Sequence, residues 1–142
     1  MRNGLINHLD LTVTELARSS AFYDKVLGRL GYKRTSEYEG EVPCWELSTA
    51  ESQFSVGLHK AKDSTPHNRY AVGLHHLAFH VSSRSEIDAF HEFLISEQVT
   101  ILDAPAEYSY TPGYYALFFL DPDGMKLELV YEPRFASRMR NA

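Results

Sequence analysis

Leu74-His75-His76-Leu77-Ala78-Phe79-His80-Val81 repeats the pattern of an earlier stretch, Ile6-Asn7-His8-Leu9-Asp10-Leu11-Thr12-Val13. A shift of 68 positions lays His8 on His76, Leu9 on Leu77 and Val13 on Val81. The same shift lays Ala21-Phe22 on Ala89-Phe90 and Val26-Leu27 on Leu94-Ile95. One offset that holds this far without a gap points to two copies of one supersecondary unit. Two copies are too few for a solenoid, which predicts a closed, pseudo-symmetric domain.

Each copy reads as β-α-β-β-β. Over residues 5–13, Leu9, Leu11 and Val13 alternate with His8, Asp10 and Thr12, the period of a strand with one apolar and one polar face. Thr14 is the expected N-cap of a helix whose stripe is Leu16, Ser20, Tyr23, Val26, Leu27 and Leu30 and which Gly28 and Gly31 end. Strands are expected over 32–38, 43–49 and 53–60, parted by the turn-like Glu39-Gly40-Glu41 and Ala50-Glu51-Ser52. A polar loop with Pro66 spans 61–72. The unit then recurs: a strand over 73–81, a helix opened by the capping-box spacing Ser83-Arg84-Ser85-Glu86, and strands near 99–106, 114–120 and 125–132. Ile87, Phe90, His91 and Leu94 line a face of that helix. Asp121-Pro122-Asp123-Gly124 is a hairpin turn by composition. After Pro133 the tail is expected to be irregular or a short helix.

Size and composition bound the function. A chain of 142 residues makes one domain, residues 1–142, with module one at about 5–60 and module two at about 73–132. That length buries roughly 70% of the unfolded surface without disulfides or structural metal. The 44% hydrophobic content is that of a globular protein, and no apolar run approaches a membrane span. The net charge of −5 argues against nucleic acid. Arg134, Arg138 and Arg140 make a basic tail that reads as solvated. The single Cys44 and a strand-like beginning, which leaves no room for a signal peptide, predict a cytoplasmic protein.

Three residues stand where a polar group has to be explained. His8 and His76 hold equivalent positions, and Glu128 sits between Leu127 and Leu129 in an otherwise apolar strand. A carboxylate buried there without a partner costs several kcal/mol. Any one of the three alone is best read as a hydrogen-bonded core polar group. Together, two imidazoles and a carboxylate at strand centres make a facial ligand set that leaves metal positions open to substrate or water.

The chain resembles the vicinal oxygen chelate superfamily: glyoxalase I, fosfomycin-resistance enzymes, extradiol dioxygenases and bleomycin-binding proteins. The resemblance rests on Ile6-Asn7-His8-Leu9, on Ala21-Phe22-Tyr23-Asp24-Lys25-Val26-Leu27-Gly28, on His76-Leu77-Ala78-Phe79 and, most specifically, on Phe119 through Leu129. It implies an α+β fold, two tandem βαβββ modules forming a U-shaped, eight-stranded mixed sheet around a metal-binding cleft. It also implies one divalent metal on His8, His76 and Glu128, with Fe, Mn, Ni and Zn all admitted by the ligand types. A homodimer is expected from the same resemblance. The superfamily spans isomerases, lyases, transferases, oxygenases and metal-free binders, so the reaction is left open.

Departures narrow it. Gly57 falls where glyoxalase I carries a further Glu ligand, which disfavours that activity. Fosfomycin-type enzymes use a serine-rich loop and a tyrosine on the penultimate strand. Here the loop reads Tyr108-Ser109-Tyr110-Thr111-Pro112-Gly113 and the tyrosine position falls at Phe118, which disfavours that activity too. Extradiol dioxygenases carry a His after an apolar pair and often a His-His pair, resembled by Leu58-His59 and His75-His76, although their tyrosine also falls at Phe118. By alternation His59 shares the face of Gly57, where it reads either as an acid–base catalyst or as a partly exposed strand histidine. Asp10, on the His8 face, would orient a water, hold an imidazole or form a salt bridge at the cleft edge. Tyr115 and Phe118 belong to an aromatic segment that would shape an apolar pocket for a ring-bearing ligand or fill the core. His75 is expected to point away from His76, and His80 to lie further along the His76 face. The expected function is a divalent-metal-dependent dioxygenase, lyase or isomerase acting on a small oxygen-bearing molecule. The alternative is a metal-free dimer that sequesters small molecules.

Overall fold

The computed structural model describes residues 3–35, 42–50 and 52–139, the last three without their side chains. The chain divides into two compact units between Thr65 and Pro66, inside the predicted connecting loop. Each unit is one βαβββ module.

Module one contains β1 (His8–Val13), α1 (Leu16–Arg29), β2 (Lys33–Thr35), β3 (Cys44–Ser48) and β4 (Gln53–Lys60). Its four strands form one sheet in the order β1-β4-β3-β2. β1 runs parallel to β4, with Asp10 opposite Gly57, and β3 runs antiparallel to β4, with Cys44 opposite Gly57. Leu11, Val13, Val56 and Leu58 face inward with Tyr23, Val26 and Leu27 of α1 and with Trp45. Each such burial contributes about 1.5–3 kcal/mol. The Asp24 carboxylate ties helix to sheet, accepting from Trp45 Nε1 at 2.9 Å and from Arg34 at 3.0 Å.

Module two contains β5 (His76–His80), α2 (Arg84–Ser96), β6 (Ile101–Tyr108), β7 (Tyr114–Leu120) and β8 (Lys126–Tyr131), followed by α3 (Pro133–Met139). The strand order β5-β8-β7-β6 repeats that of module one, and β5 is again parallel to the strand beside it. Ile87, Phe90 and Leu94 of α2 are buried with Phe79, Leu117, Phe119, Leu127 and Leu129. β6 is an edge strand of this sheet and its register slips between Asp103 and Ala106. Pro105, which has no N–H to give to a ladder, falls in that slip.

The caps follow the sequence with two corrections. Thr14 is not the N-cap of α1; that place is taken by Glu15, whose side chain makes no cap hydrogen bond. Gly28 lies inside the helix, and Gly31 alone ends it, at φ +92°. There Gly31 N–H donates to Gly28 and Tyr32 N–H to Leu27, the paired bonds of a Schellman motif. α2 ends the same way, with Gln98 at φ +58° in the glycine place and Val99 donating to Leu94. Ser83 Oγ caps α2 by accepting from Glu86 N–H at 3.2 Å, while Glu86 reaches back to Ser82 N–H at 2.7 Å. In the turn before β8, Asp121 Oδ1 accepts from the N–H groups of Asp123 and Met125, and Gly124 has φ +83°.

The expected strand residues 36–38, the turn Glu39-Gly40-Glu41 and Glu51 lie outside the described residues, as do Arg140 and the Arg138 side chain. Arg134 is paired with Glu132 rather than merely solvated. No helix among the described residues is long and apolar enough to cross a membrane.

Candidate functional site

Glu128 stands on β8, opposite Ala78 of β5 on one side and Phe118 of β7 on the other. It is 2% exposed, and two groups compensate its burial. His76 Nε2 lies 3.2 Å from Oε2, and the Tyr114 hydroxyl donates to Oε1. Burial, then the bond to Glu128, pushes the Tyr114 hydroxyl well above the ordinary tyrosine range, so it stays a donor at any physiological pH.

His76 is oriented from its other nitrogen. Its Nδ1 lies 2.7 Å from Nδ1 of His75. This corrects the expectation that His75 points away: the rings meet edge-on with centroids 5.0 Å apart. Burial, then the neighbouring His76, lowers the His75 pKa, which favours the neutral ring that can accept from His76 Nδ1–H. In that tautomer His76 Nε2 carries a lone pair toward Glu128. Neighbouring ligands on a metal with bonds of about 2.1 Å sit about 3 Å apart, so the 3.2 Å separation suits a shared divalent ion.

Module one orients its histidine in the same way. His8 Nδ1 lies 2.7 Å from the side-chain oxygen of Asn7; a ring that donates there carries its lone pair on Nε2. On the same sheet face, Asp10 Oδ2 lies 3.0 Å from His59 Nε2, both side chains about half exposed. A cavity of about 390 Å³ is lined here by His8, Asp10, Cys44, Ser55, Gly57 and His59, among others. Burial is the main reason the Cys44 thiol is held above its ordinary pKa, so it lines the cavity as a neutral group.

The remaining predicted residues divide. Phe118 is directly across from Glu128 and 5% exposed, with the Lys126 ammonium 4.1 Å from its ring centre. Tyr115 is on the opposite face of β7 and does not join them; its hydroxyl donates to Asp88 of α2 at 2.7 Å, and Arg84 lies over its ring. A strand's side chains alternate, so Tyr115 and Phe118 cannot share a face. Tyr114, with the parity of Phe118, is the tyrosine that reaches the carboxylate, and strand alternation alone would have selected it. His80 packs against Phe135, 5.0 Å between ring centres. Among the described residues, no group of three or more His, Cys, Asp or Glu side chains is already gathered as a metal cage.

Comparison with known proteins gives one consistent likeness. Residues 5–129 match the Glyoxalase/Bleomycin resistance protein/Dioxygenase superfamily. The chain is 31% identical over 129 residues to the uncharacterized protein YqjT of Bacillus subtilis (strain 168), covering 88% of this chain and 97% of that one. It is 32% identical over 124 residues to the metallothiol transferase FosB of Lysinibacillus sphaericus (strain C3-41), covering 87% and 79%. Among solved structures, a glyoxalase-type protein of Bacillus halodurans superposes with a TM-score of 0.76 at 28% identity, over 90% of this chain and 96% of that one. A glyoxylase/bleomycin resistance protein/dioxygenase domain from Frankia sp. EAN1pec superposes with a TM-score of 0.68 at 22% identity, over 91% and 98%, a likeness of fold.

Proposed function

We propose that this chain, which belongs to the glyoxalase/bleomycin resistance protein/dioxygenase superfamily, is a divalent-metal-dependent enzyme acting on a small oxygen-bearing molecule. The observation that carries the reading is the Glu128 carboxylate, 2% exposed beside Phe118 and facing His76 Nε2 at 3.2 Å. Glu128 and His76 would hold the metal, and His8, whose Nδ1 is engaged by Asn7, is the further ligand that the sequence resemblance implies. Such an ion, when bound, polarises vicinal oxygens of a substrate or activates dioxygen.

The chain's own residues then divide the work. His75 and Asn7 fix the ring orientations of His76 and His8. Tyr114 holds Glu128 from behind, as outer partners of metal ligands do. His59 moves protons, since an imidazole has one nitrogen that gives a proton and one that takes it, and Phe118 presents an apolar wall that suits a ring-bearing substrate. The protein acts as a homodimer in the cytoplasm. The metallothiol transferase relative supports metal dependence, while the 108–113 loop and Phe118 set this chain apart from fosfomycin-type transfer.

A second reading is favoured by one observation. Tyr114 already donates to Glu128, and a His76 ring carrying its proton on Nε2 would donate to the other oxygen, so in that tautomer the carboxylate needs no ion and the fold would serve a metal-free binding protein. Elemental analysis of untagged protein, beside His8→Ala, separates the two. About one Fe, Mn, Ni or Zn per chain, lost in the variant, supports the enzyme. No metal after reconstitution with each of the four ions supports the binding protein.

A further inference from the structure

We propose that Gly57 is the seat of the Asp10 carboxylate, and that the seated carboxylate holds His59 in the Nε2–H tautomer, leaving Nδ1 as the nitrogen that takes a proton from a ligand in the module-one cavity. This rests on the acid–base role given to His59 above and explains how that role is built. Asp10 and Gly57 are direct partners on neighbouring parallel strands. A Cβ added at Gly57 would lie 2.4 Å from Asp10 Oδ1 and 3.4 Å from its Cγ. The carboxylate therefore occupies the volume that any larger residue at 57 would need. No unusual backbone angle demands glycine here; the close approach of Asp10 does.

One carboxylate oxygen lies over Gly57, and the other is 3.0 Å from His59 Nε2. A carboxylate only accepts, so the neutral imidazole donates from Nε2 and carries its lone pair on Nδ1. Among the described residues His59 Nδ1 has no hydrogen-bond partner. Gly57 is thus more than a position that lacks a ligand. It is the space that lets a residue one strand away orient the base, and Asp10 is a positioning residue.

The test exploits the flexibility of the displaced group. Asp10 is a half-exposed side-chain end, so Gly57→Ala moves the carboxylate off its seat and leaves the fold intact. Nitrogen-15 spectra of the histidine rings in the full chain, at a pH where imidazoles are neutral, read the tautomer directly. His59→Gln identifies the signal. The expected spectrum shows protonated Nε2 and unprotonated Nδ1 in the parent protein and in Asp10→Asn, whose amide oxygen still accepts. Gly57→Ala and Asp10→Ala shift both nitrogens toward mixed-tautomer positions. An Nδ1–H tautomer in the parent, or His59 resonances unchanged by Gly57→Ala and Asp10→Ala, overturns the proposal. These spectra do not depend on metal content, so the tautomer lock and the metal reading fail separately.

Discussion

The two modules place one carboxylate on the same rung of equivalent sheets but on opposite strands. In module one the rung is Asp10 opposite Gly57, and in module two it is Ala78 opposite Glu128. Each carboxylate faces a small residue, and each is met by a histidine. The environments then separate them. Glu128 lies on an inner strand, is almost fully buried and takes both an imidazole and a phenol. Asp10 lies on an edge strand, half exposed, and takes one imidazole. A buried carboxylate with fixed partners suits a metal ligand, whereas an exposed one suits a group that orients a proton carrier. The repeated rung carries its acid on opposite strands, in two environments that suit the two proposed roles.

The largest effect expected from this division is on turnover. His59→Ala keeps the metal and lowers kcat by about 10²- to 10⁴-fold, the range for loss of a general acid–base. Unchanged kcat in a metal-replete variant would remove His59 from the chemistry. Next comes the support of Glu128. Tyr114→Phe deletes the hydroxyl that holds the carboxylate and weakens metal affinity by about 10- to 100-fold in a chelator competition. Tyr115→Phe, on the other face, leaves that affinity alone.

A smaller effect distinguishes the two helix ends. Module one has Tyr32 after its Schellman glycine, where module two has Val99. Burial pushes the Tyr32 hydroxyl up to about 12. An unfolded tyrosine titrates near about 10, so between those values the unfolded chain holds fewer protons than the native one. Stability is then complete below about pH 10 and falls by about 2 kcal/mol as pH rises toward 12. Tyr32→Phe flattens this part of the alkaline slope in denaturant titrations. The smallest effect is at the partner cap. Gln98 takes a left-handed angle that glycine adopts freely, so Gln98→Gly stabilises by about 1 kcal/mol, read as a higher denaturant midpoint, and Gly31→Gln destabilises by a similar amount.

Much of this was legible in the sequence because its period is local. The offset between His8 and His76 reveals the duplication, alternation reveals the strands, and Glu128 between two leucines betrays a polar group in a core. What escaped depends on contacts that sequence distance does not encode. Asp10 and His59 belong to parallel strands brought into register by the fold, so their pairing has no local signature. Gly57 could be read as a missing ligand but not as the space beneath Asp10. Neighbouring strand residues alternate sides, which hid the turn of the His75 ring toward His76. Tyr114 obeys the same alternation rule that puts His59 on the Gly57 face, whereas Tyr115 has the other parity and meets Asp88.

The central claim is that one rung supports two different functions. Metal stoichiometry of Glu128→Ala and Asp10→Ala, measured beside the parent protein by elemental analysis, tests it most directly. The account predicts about one divalent ion per chain in the parent and in Asp10→Ala and none in Glu128→Ala, with both variants folded by circular dichroism. Metal retained at full stoichiometry in Glu128→Ala, or lost in Asp10→Ala, would contradict it.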